Sequence, residues 1–241
     1  MTDRARSFDG AAAPYAGIRP DYPPAALDWL LPAGAWRVLD LGAGTGKLTR
    51  QLVDRGLDVV AVEPSPAMGA QLSAYVPEAE LREAAAEAIP LPDDDVDAVV
   101  VGQAFHWFDR DRALPEIARV LRPGGRVGLL WTFDNDSEAW VDALANLTGT
   151  PSRANHRAPD VIEAGHFTDI ATADFPHSQW LDADSLRRLI QTHSFYLVQD
   201  ADGQAEVVRR IDELVSTHPD LVGRESFVLP YVTSCWRATV R

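Results

Sequence analysis

In the segment Val38-Leu39-Asp40-Leu41-Gly42-Ala43-Gly44-Thr45-Gly46 a β-branched apolar run passes directly into a turn of three alternating glycines. Such a turn lets a ligand lie against bare backbone at the point where a helix begins. The spacing departs from two sharper fingerprints. A dinucleotide loop requires its third glycine three positions after the second, where this chain carries Lys47; its third glycine comes early, at Gly46. A phosphate-binding P-loop needs four residues between its glycines and Ser or Thr after the lysine, but three residues separate Gly42 from Gly46 and Leu48 follows Lys47. Tight strand-to-helix packing is the competing explanation for the glycines.

Glu63 closes the next apolar run, Val59-Val60-Ala61-Val62-Glu63, seventeen positions after Gly46. In a doubly wound sheet that position lies beside the glycine turn, at the carboxyl edge where ligands bind. A carboxylate there can accept from both hydroxyls of a ribose, each bond to a charged acceptor contributing roughly 1.5–3 kcal/mol. The competing role, capping the helix that opens at Pro64–Pro66, is already filled by Ser65. Further along, Ala84-Ala85-Ala86-Glu87-Ala88-Ile89-Pro90 forms a loop suited to face an adenine through Ala86 and Glu87. The acidic run Asp93–Asp97 after it reads as a solvated turn and not a metal site, since no histidine neighbours it. The fourth apolar run ends in Gly102-Gln103-Ala104-Phe105-His106-Trp107-Phe108, where aromatic residues gather as in a pocket wall. His106 is the first candidate for proton transfer there, with positioning of a ligand as the plainer alternative.

The elements that must hold these residues follow from alternation of apolar runs and helical stretches, the pattern of parallel strands joined by crossovers. Strands are expected at Trp36–Leu41, Asp58–Glu63, Ala79–Glu83, Val96–Gly102 and Gly125–Thr132, with helices near Gly46–Arg55, Pro66–Tyr75 and Asp109–Leu121. The last helix is expected to stop at Arg122-Pro123-Gly124-Gly125. Residues 1–35, rich in proline, read as an ordered cap with a short helix at Pro24–Leu31; 36–133 form the core. Residues 134–241 read as a helical lid and completion of the sheet, with helices at Asp134–Arg157, Asp182–Phe195 and Gln204–Thr217 and strands at Phe167–Phe175 and Ser226–Val240. One α/β domain accounts for 241 residues.

Charge and composition narrow the function. The chain has 22 basic and 36 acidic side chains and a formal charge of −14, so a polyanion is repelled and nucleic acids and acidic membranes are poor partners. One cysteine, Cys235, rules out an internal disulfide or a cysteine metal cluster and reads as an apolar filler. No segment resembles a signal peptide or a bilayer span, which points to the cytoplasm.

Taken together, Leu39–Gly46, Glu63-Pro64-Ser65, Ala86–Pro90 and Gln103–Phe108 resemble the class I S-adenosylmethionine-dependent methyltransferases, in particular the UbiE-like and trans-aconitate-methyltransferase-like small-molecule branch. The resemblance implies a Rossmann-like, doubly wound seven-stranded sheet, mostly parallel with an antiparallel last strand. It also extends to Tyr15-Ala16-Gly17-Ile18-Arg19-Pro20-Asp21-Tyr22-Pro23, a cap closing over the methionine end of the cofactor, and so assigns Tyr15 and Arg19 to its carboxylate. It sets backbone at Gly42 and Gly44 against the amino group with Asp40 supporting the turn, and Ala43, Pro64, Gln103 and Ala104 along the cofactor. Relatives often have a polar residue where this chain has Ala85, which leaves adenine to Ala86, Glu87 and apolar contacts. Phe105, His106, Trp107, Trp131 and His193 are the expected substrate-pocket residues, and no metal is expected.

Methyl transfer from a sulfonium is an in-line displacement that needs alignment and exclusion of water, and orientation alone supplies ~7–11 kcal/mol. A carboxylate acceptor arrives ionised; a phenol or carbon acid would need a base, His106 first and His193 second. The sequence-level reading is thus a methyltransferase acting on a small molecule as a monomer or homodimer. Two others remain open at this level: a nicotinamide-dependent oxidoreductase, and a non-catalytic S-adenosylmethionine-binding protein.

Overall fold

The short apolar runs become strands because each can bury both of its faces. In β1 (Arg37–Leu41), Val38 packs on one side of the sheet with Leu27, Leu30, Leu48 and Leu52, while Leu39 and Leu41 pack on the other with Val62, Val99, Ile117 and Leu129. The same alternation in β2 (Asp58–Val62) and β4 (Val96–Gly102) builds one core on each face. The computed structural model describes residues 18–135, 137–149 and 165–241. With β3 (Glu80–Arg82), β5 (Leu121–Asp134), β6 (Phe167–Leu181) and β7 (Phe227–Val240), the described residues form a seven-stranded sheet in the order β3-β2-β1-β4-β5-β7-β6. Strands β1 to β5 pair in parallel, and β7 runs antiparallel to both β5 and β6, as the resemblance implied. Because β1 has β2 on one side and β4 on the other, strand order reverses there, and a crevice opens at their carboxyl ends.

The helices α1 (Pro24–Leu30), α2 (Lys47–Val53), α3 (Pro66–Tyr75) and α4 (Arg110–Val120) flank the parallel strands. Beyond β5 come α5 (Ala139–Thr148), α6 (Ala183–Gln191), α7 (Ser194–Leu197) and α8 (Ala201–Thr217). Trp140, Leu144, Leu186, Ile190 and Ile211 from these later helices form a separate apolar cluster with Leu229 and Tyr231 of β7. That cluster fixes the lid on the sheet.

Several boundaries differ from expectation. The Pro123-Gly124 pair does not separate helix from strand: Leu121 already pairs with Val96, and pairing resumes at Arg126 opposite Ala98. The intervening residues form a bulge, with Gly124 at φ +79°, so the missing N–H of Pro123 interrupts the ladder without ending it. Strand β6 continues to Leu181 and not Phe175, because β7 offers partners along its whole length; Pro176 is tolerated since β6 is an edge strand. The helix expected at Asp134–Arg157 is described only as α5, closed by Gly149 at φ +62°; residues 150–164 lie outside the described part.

The acidic run is not a merely solvated turn. Asp93 pairs with Arg119, Asp95 with Arg37, and Asp97 with Arg122 while accepting from the backbone N–H groups of Trp36 and Arg37 at 2.8 and 2.9 Å. These contacts tie the amino ends of β1 and β4 together. Among the described residues no group of histidine, cysteine, aspartate and glutamate could hold a metal, and no helix is long and apolar enough to cross a membrane. Cys235 is buried and its thiol is pushed up to about 12 by burial and then by Asp174, as befits a core filler.

Candidate cofactor and acceptor site

The glycine turn folds back under β2: the N–H groups of Gly42 and Ala43 both donate to the carbonyl of Val62, at 2.8 and 3.1 Å. Gly42 has φ +74°, and a Cβ there would lie 2.7 Å from the Cβ of Ala104. Only glycine fits. Directly before the turn, Asp40 is fully buried; its Oδ2 accepts from the Thr49 hydroxyl at 2.6 Å, and its Oδ1 has no partner. Burial pushes this carboxyl up to about 7, with the Thr49 bond opposing and the Glu63 charge adding to the rise. Glu63 is also buried, its Oε2 accepting from Gly44 N–H at 2.8 Å and its Oε1 from Ser65 N–H at 2.9 Å. The carboxylate predicted from the end of the second strand is thereby locked onto the glycine turn.

Beside the turn lies a cavity of about 370 Å³. Gly42, Ala43 and Thr45 form one wall, with Asp40 and Lys47, and Arg19, Pro20 and Tyr22 close it from the cap. Gln103, His106 and Trp107 follow β4; Thr132, Phe133 and Asp134 end β5; Leu229 and Tyr231 begin β7. Leu189, Ile190, His193 and Phe195 roof it from the lid. Lys47 pairs with Asp21 at 2.7 Å, which holds the cap against the start of α2. Gln103 sits at φ +58°, unusual for a residue with a Cβ. Its N–H donates to Leu130 O at 2.9 Å and its Nε2 to Thr132 O at 3.1 Å, and these bonds hold the strained turn at the site.

The polar groups of this cavity perturb one another. Burial raises the Asp134 carboxyl to about 6, with the positive charge of Arg19 opposing. Burial and then Arg19 lower His193 well below the ordinary imidazole range, so it is neutral at neutral pH. The Tyr231 phenol is pushed up by burial and by Asp134. Arg19 donates from Nε to the Thr192 hydroxyl at 2.9 Å and from Nη2 to the Thr192 carbonyl at 3.1 Å. His106 Nδ1 accepts a long bond, 3.5 Å, from Trp131 Nε1.

Of the residues singled out from sequence, Arg19, Asp40, Gly42, Ala43, Gln103, His106, Trp107 and His193 converge on the cavity. Gly44 and Glu63 adjoin it through their mutual bond. Phe105 and Trp131 do not line it; both are buried in the core on the other face of the sheet, where Trp131 meets Trp236 edge to face at 5.1 Å. Ala86 is likewise a core residue, and Glu87 accepts from Asp109 N–H at 2.7 Å, capping α4. Ala104 packs beneath Gly42, and Pro64 joins Glu63 to Ser65. Tyr15 lies outside the described residues. Sequence reasoning missed Asp134 and Tyr231. The rule that selected Glu63, an acidic residue at the carboxyl end of an apolar strand, also selects Asp134; Tyr231 emerges only from the antiparallel register of β5 and β7.

The family model for the methyltransferase domain matches residues 39–129. An uncharacterized methyltransferase of Mycobacterium tuberculosis is 45% identical over 241 residues, covering 99% of this chain and 97% of its own. A solved structure described as a type II methyltransferase from Anaeromyxobacter dehalogenans shares the fold at a TM-score of 0.70, with 24% identity over 93% of this chain and 98% of that one. Haemonchus contortus phosphoethanolamine N-methyltransferase 2, solved in complex with S-adenosyl-L-methionine, aligns at a TM-score of 0.58 and 18% identity over 100% of this chain and 60% of that one. The glycine turn, the strand order and the near full-length similarity agree: this chain belongs to the methyltransferase family and is an enzyme of methyl transfer.

Proposed function

We propose that the enzyme takes its methyl group from S-adenosylmethionine and passes it to a small molecule held in the cavity between sheet edge, cap and lid. The observation that carries this reading is the buried, partnerless Oδ1 of Asp40 beside the glycine turn. A buried carboxylate oxygen without a donor calls for a cationic or N–H ligand, and an amino-acid ammonium is one. Glu63 supports the same reading: its carboxylate is buried and held on the glycine turn by Gly44 N–H and Ser65 N–H, at the carboxyl end of the second strand where a ribose would lie. Arg19 provides a guanidinium for the methionine carboxylate, with Tyr15 as the second candidate. Adenine is left to the backbone near Ala86, the outer oxygen of Glu87 and the flank of Pro64.

When bound, the sulfonium supplies an electrophilic methyl group. The protein contributes orientation and exclusion of water. The Arg19–Thr192 bonds join cap to lid above the site, and Leu189, Ile190 and Phe195 make the roof apolar. His106, lining the cavity after β4, is placed to position the acceptor. The net charge of −14 and the reduced, buried Cys235 favour an uncharged or cationic small molecule in the cytoplasm over a nucleic acid.

Thermal unfolding with S-adenosylhomocysteine or NADH tests the reading. Near a hundredfold excess over its Kd, S-adenosylhomocysteine should add about 2.7 kcal/mol and raise the midpoint by roughly 5–10 °C, with NADH inert. A shift with NADH alone would reverse the assignment.

A further inference from the structure

Away from the glycine turn the cavity changes character. Asp134 and Tyr231 are directly paired across β5 and β7, so both leave the same face of the sheet. The next pair on that face is Thr132 and Thr233, whose hydroxyls lie 2.8 Å apart. His177 stacks on Tyr231 at 5.3 Å, with its Nε2 3.0 Å from the Thr233 hydroxyl. The Tyr231 hydroxyl donates to Gln179 Oε1 at 3.4 Å, so its proton is directed away from Asp134. Among the described residues nothing donates a hydrogen bond to the Asp134 carboxylate, which nonetheless lines the cavity.

Arg19 of the cap and Tyr231 of β7 act on it directly, and His193 of the lid lines the same cavity. His193 and Tyr231 are neutral at neutral pH, and Arg19 is held by Thr192. Lys47, the other cation lining the cavity among the described residues, pairs with Asp21. Trp107, Phe133 and Phe195 offer aromatic walls.

We propose that Asp134 receives the proton of the methyl acceptor, and that the acceptor is a planar phenol or enol and not a polycarboxylate. This rests on the S-adenosylmethionine reading above. A polycarboxylate would set its own anions against Asp134, with Lys47 paired to Asp21 and Arg19 given to the methionine carboxylate, whereas a hydroxyl can donate to the Asp134 carboxylate. In the step, the hydroxyl proton passes to the Asp134 carboxylate and the released oxygen electron pair forms the bond to the methyl carbon. The carbon–sulfur pair stays on sulfur, leaving S-adenosylhomocysteine. A carboxyl raised by burial is a stronger base than an exposed one, and so better matched to a phenol.

The test uses the intact protein and Asp134→Asn, both loaded with S-adenosylhomocysteine, with 4-nitrophenol as a probe whose absorbance reports its ionisation. The native protein should hold the probe as the neutral phenol, and Asp134→Asn should shift it toward the phenolate at the same pH. In a parallel assay with S-adenosylmethionine, catechol and 1-naphthol should be methylated and citrate and tricarballylate should not. Asp134→Asn should lose at least a hundredfold in kcat while binding S-adenosylhomocysteine within twofold of native, which also shows that it folds. Tyr231→Phe, which keeps the carboxylate, should leave the acid limb of the native pH profile in place, and Asp134→Asn should abolish that limb. S-adenosylhomocysteine binding without saturable 4-nitrophenol binding, equal probe ionisation in both proteins, or preferred methylation of the polycarboxylates would overturn the proposal and leave the cofactor reading intact. Absence of S-adenosylhomocysteine binding to the native protein would instead remove the cofactor reading, and the proposal with it.

Discussion

Arg19 and Thr192, 173 residues apart, are joined by two hydrogen bonds from one guanidinium, to the hydroxyl at 2.9 Å and to the carbonyl at 3.1 Å. The Thr192 hydroxyl also donates to Leu189 O at 2.6 Å. The cap and the lid therefore share a polar seam beside a roof of Leu189, Ile190, His193 and Phe195. Thr192→Val removes the hydroxyl that accepts from Arg19 Nε and should cost about 1–2 kcal/mol, read as a lower urea midpoint at unchanged slope. Arg19→Lys should cost a similar amount, since an ammonium lacks the planar fork that reaches both oxygens. Unchanged midpoints in both variants would mean that the seam does not stabilise the fold.

Asp40 gives a pH signature. Its folded pKa, about 7, lies above the ordinary value of 3.8, so its favourable contribution is complete below about pH 4 and is lost as pH rises toward 7. Asp40→Asn keeps an acceptor for Thr49 and removes the buried charge. The ligand-free variant should match native stability near pH 4, gain on it up to about pH 7 and hold a constant margin above, at most on the order of 4 kcal/mol. Chemical unfolding across that range measures the margin; one that shrinks with rising pH would contradict the assignment. The same variant should bind S-adenosylhomocysteine more weakly, because the ammonium loses its anion.

The two glycines of the turn should respond differently to alanine. At Gly42 the added Cβ meets Ala104 at 2.7 Å and φ is +74°; at Gly44 φ is +58° and the nearest heavy atom, the sulfur of Met68, lies 4.0 Å away. Gly44→Ala should cost only the backbone penalty of about 1 kcal/mol. Gly42→Ala should add a steric clash between two backbone-anchored carbons, so that urea unfolding shows a loss of 2 kcal/mol or more. Equal losses would place the constraint in the dihedral angle alone.

What could be read from the sequence was local in origin. Gly42 and Glu63 follow directly from strand periodicity and the carboxyl-edge rule, because parallel strands place consecutive strand ends side by side. Phe105 is a core residue and not pocket wall, since an aromatic cluster at a strand end does not reveal which face each ring takes; Trp131, expected in the pocket on the resemblance alone, packs in the core against Trp236. The 3₁₀ turn at Phe105–Trp107 sends Phe105 into the core and Trp107 outward. Glu87 was expected at adenine, and its cap on α4 depends on a contact 22 residues away. Tyr231 could not be found without the register of an antiparallel strand nearly a hundred residues beyond its partner. The lid was legible as helices but not as a roof, because its placement rests on long-range apolar contacts.

The most direct measurement is calorimetric binding of S-adenosylhomocysteine to the native protein and to Glu63→Gln, which keeps an acceptor for Gly44 N–H but not the charge. Saturable binding to the native protein, weakened at least tenfold in the variant, or about 1.4 kcal/mol, is the predicted result. No binding to the native protein, or binding of NADH in its place, would contradict the account.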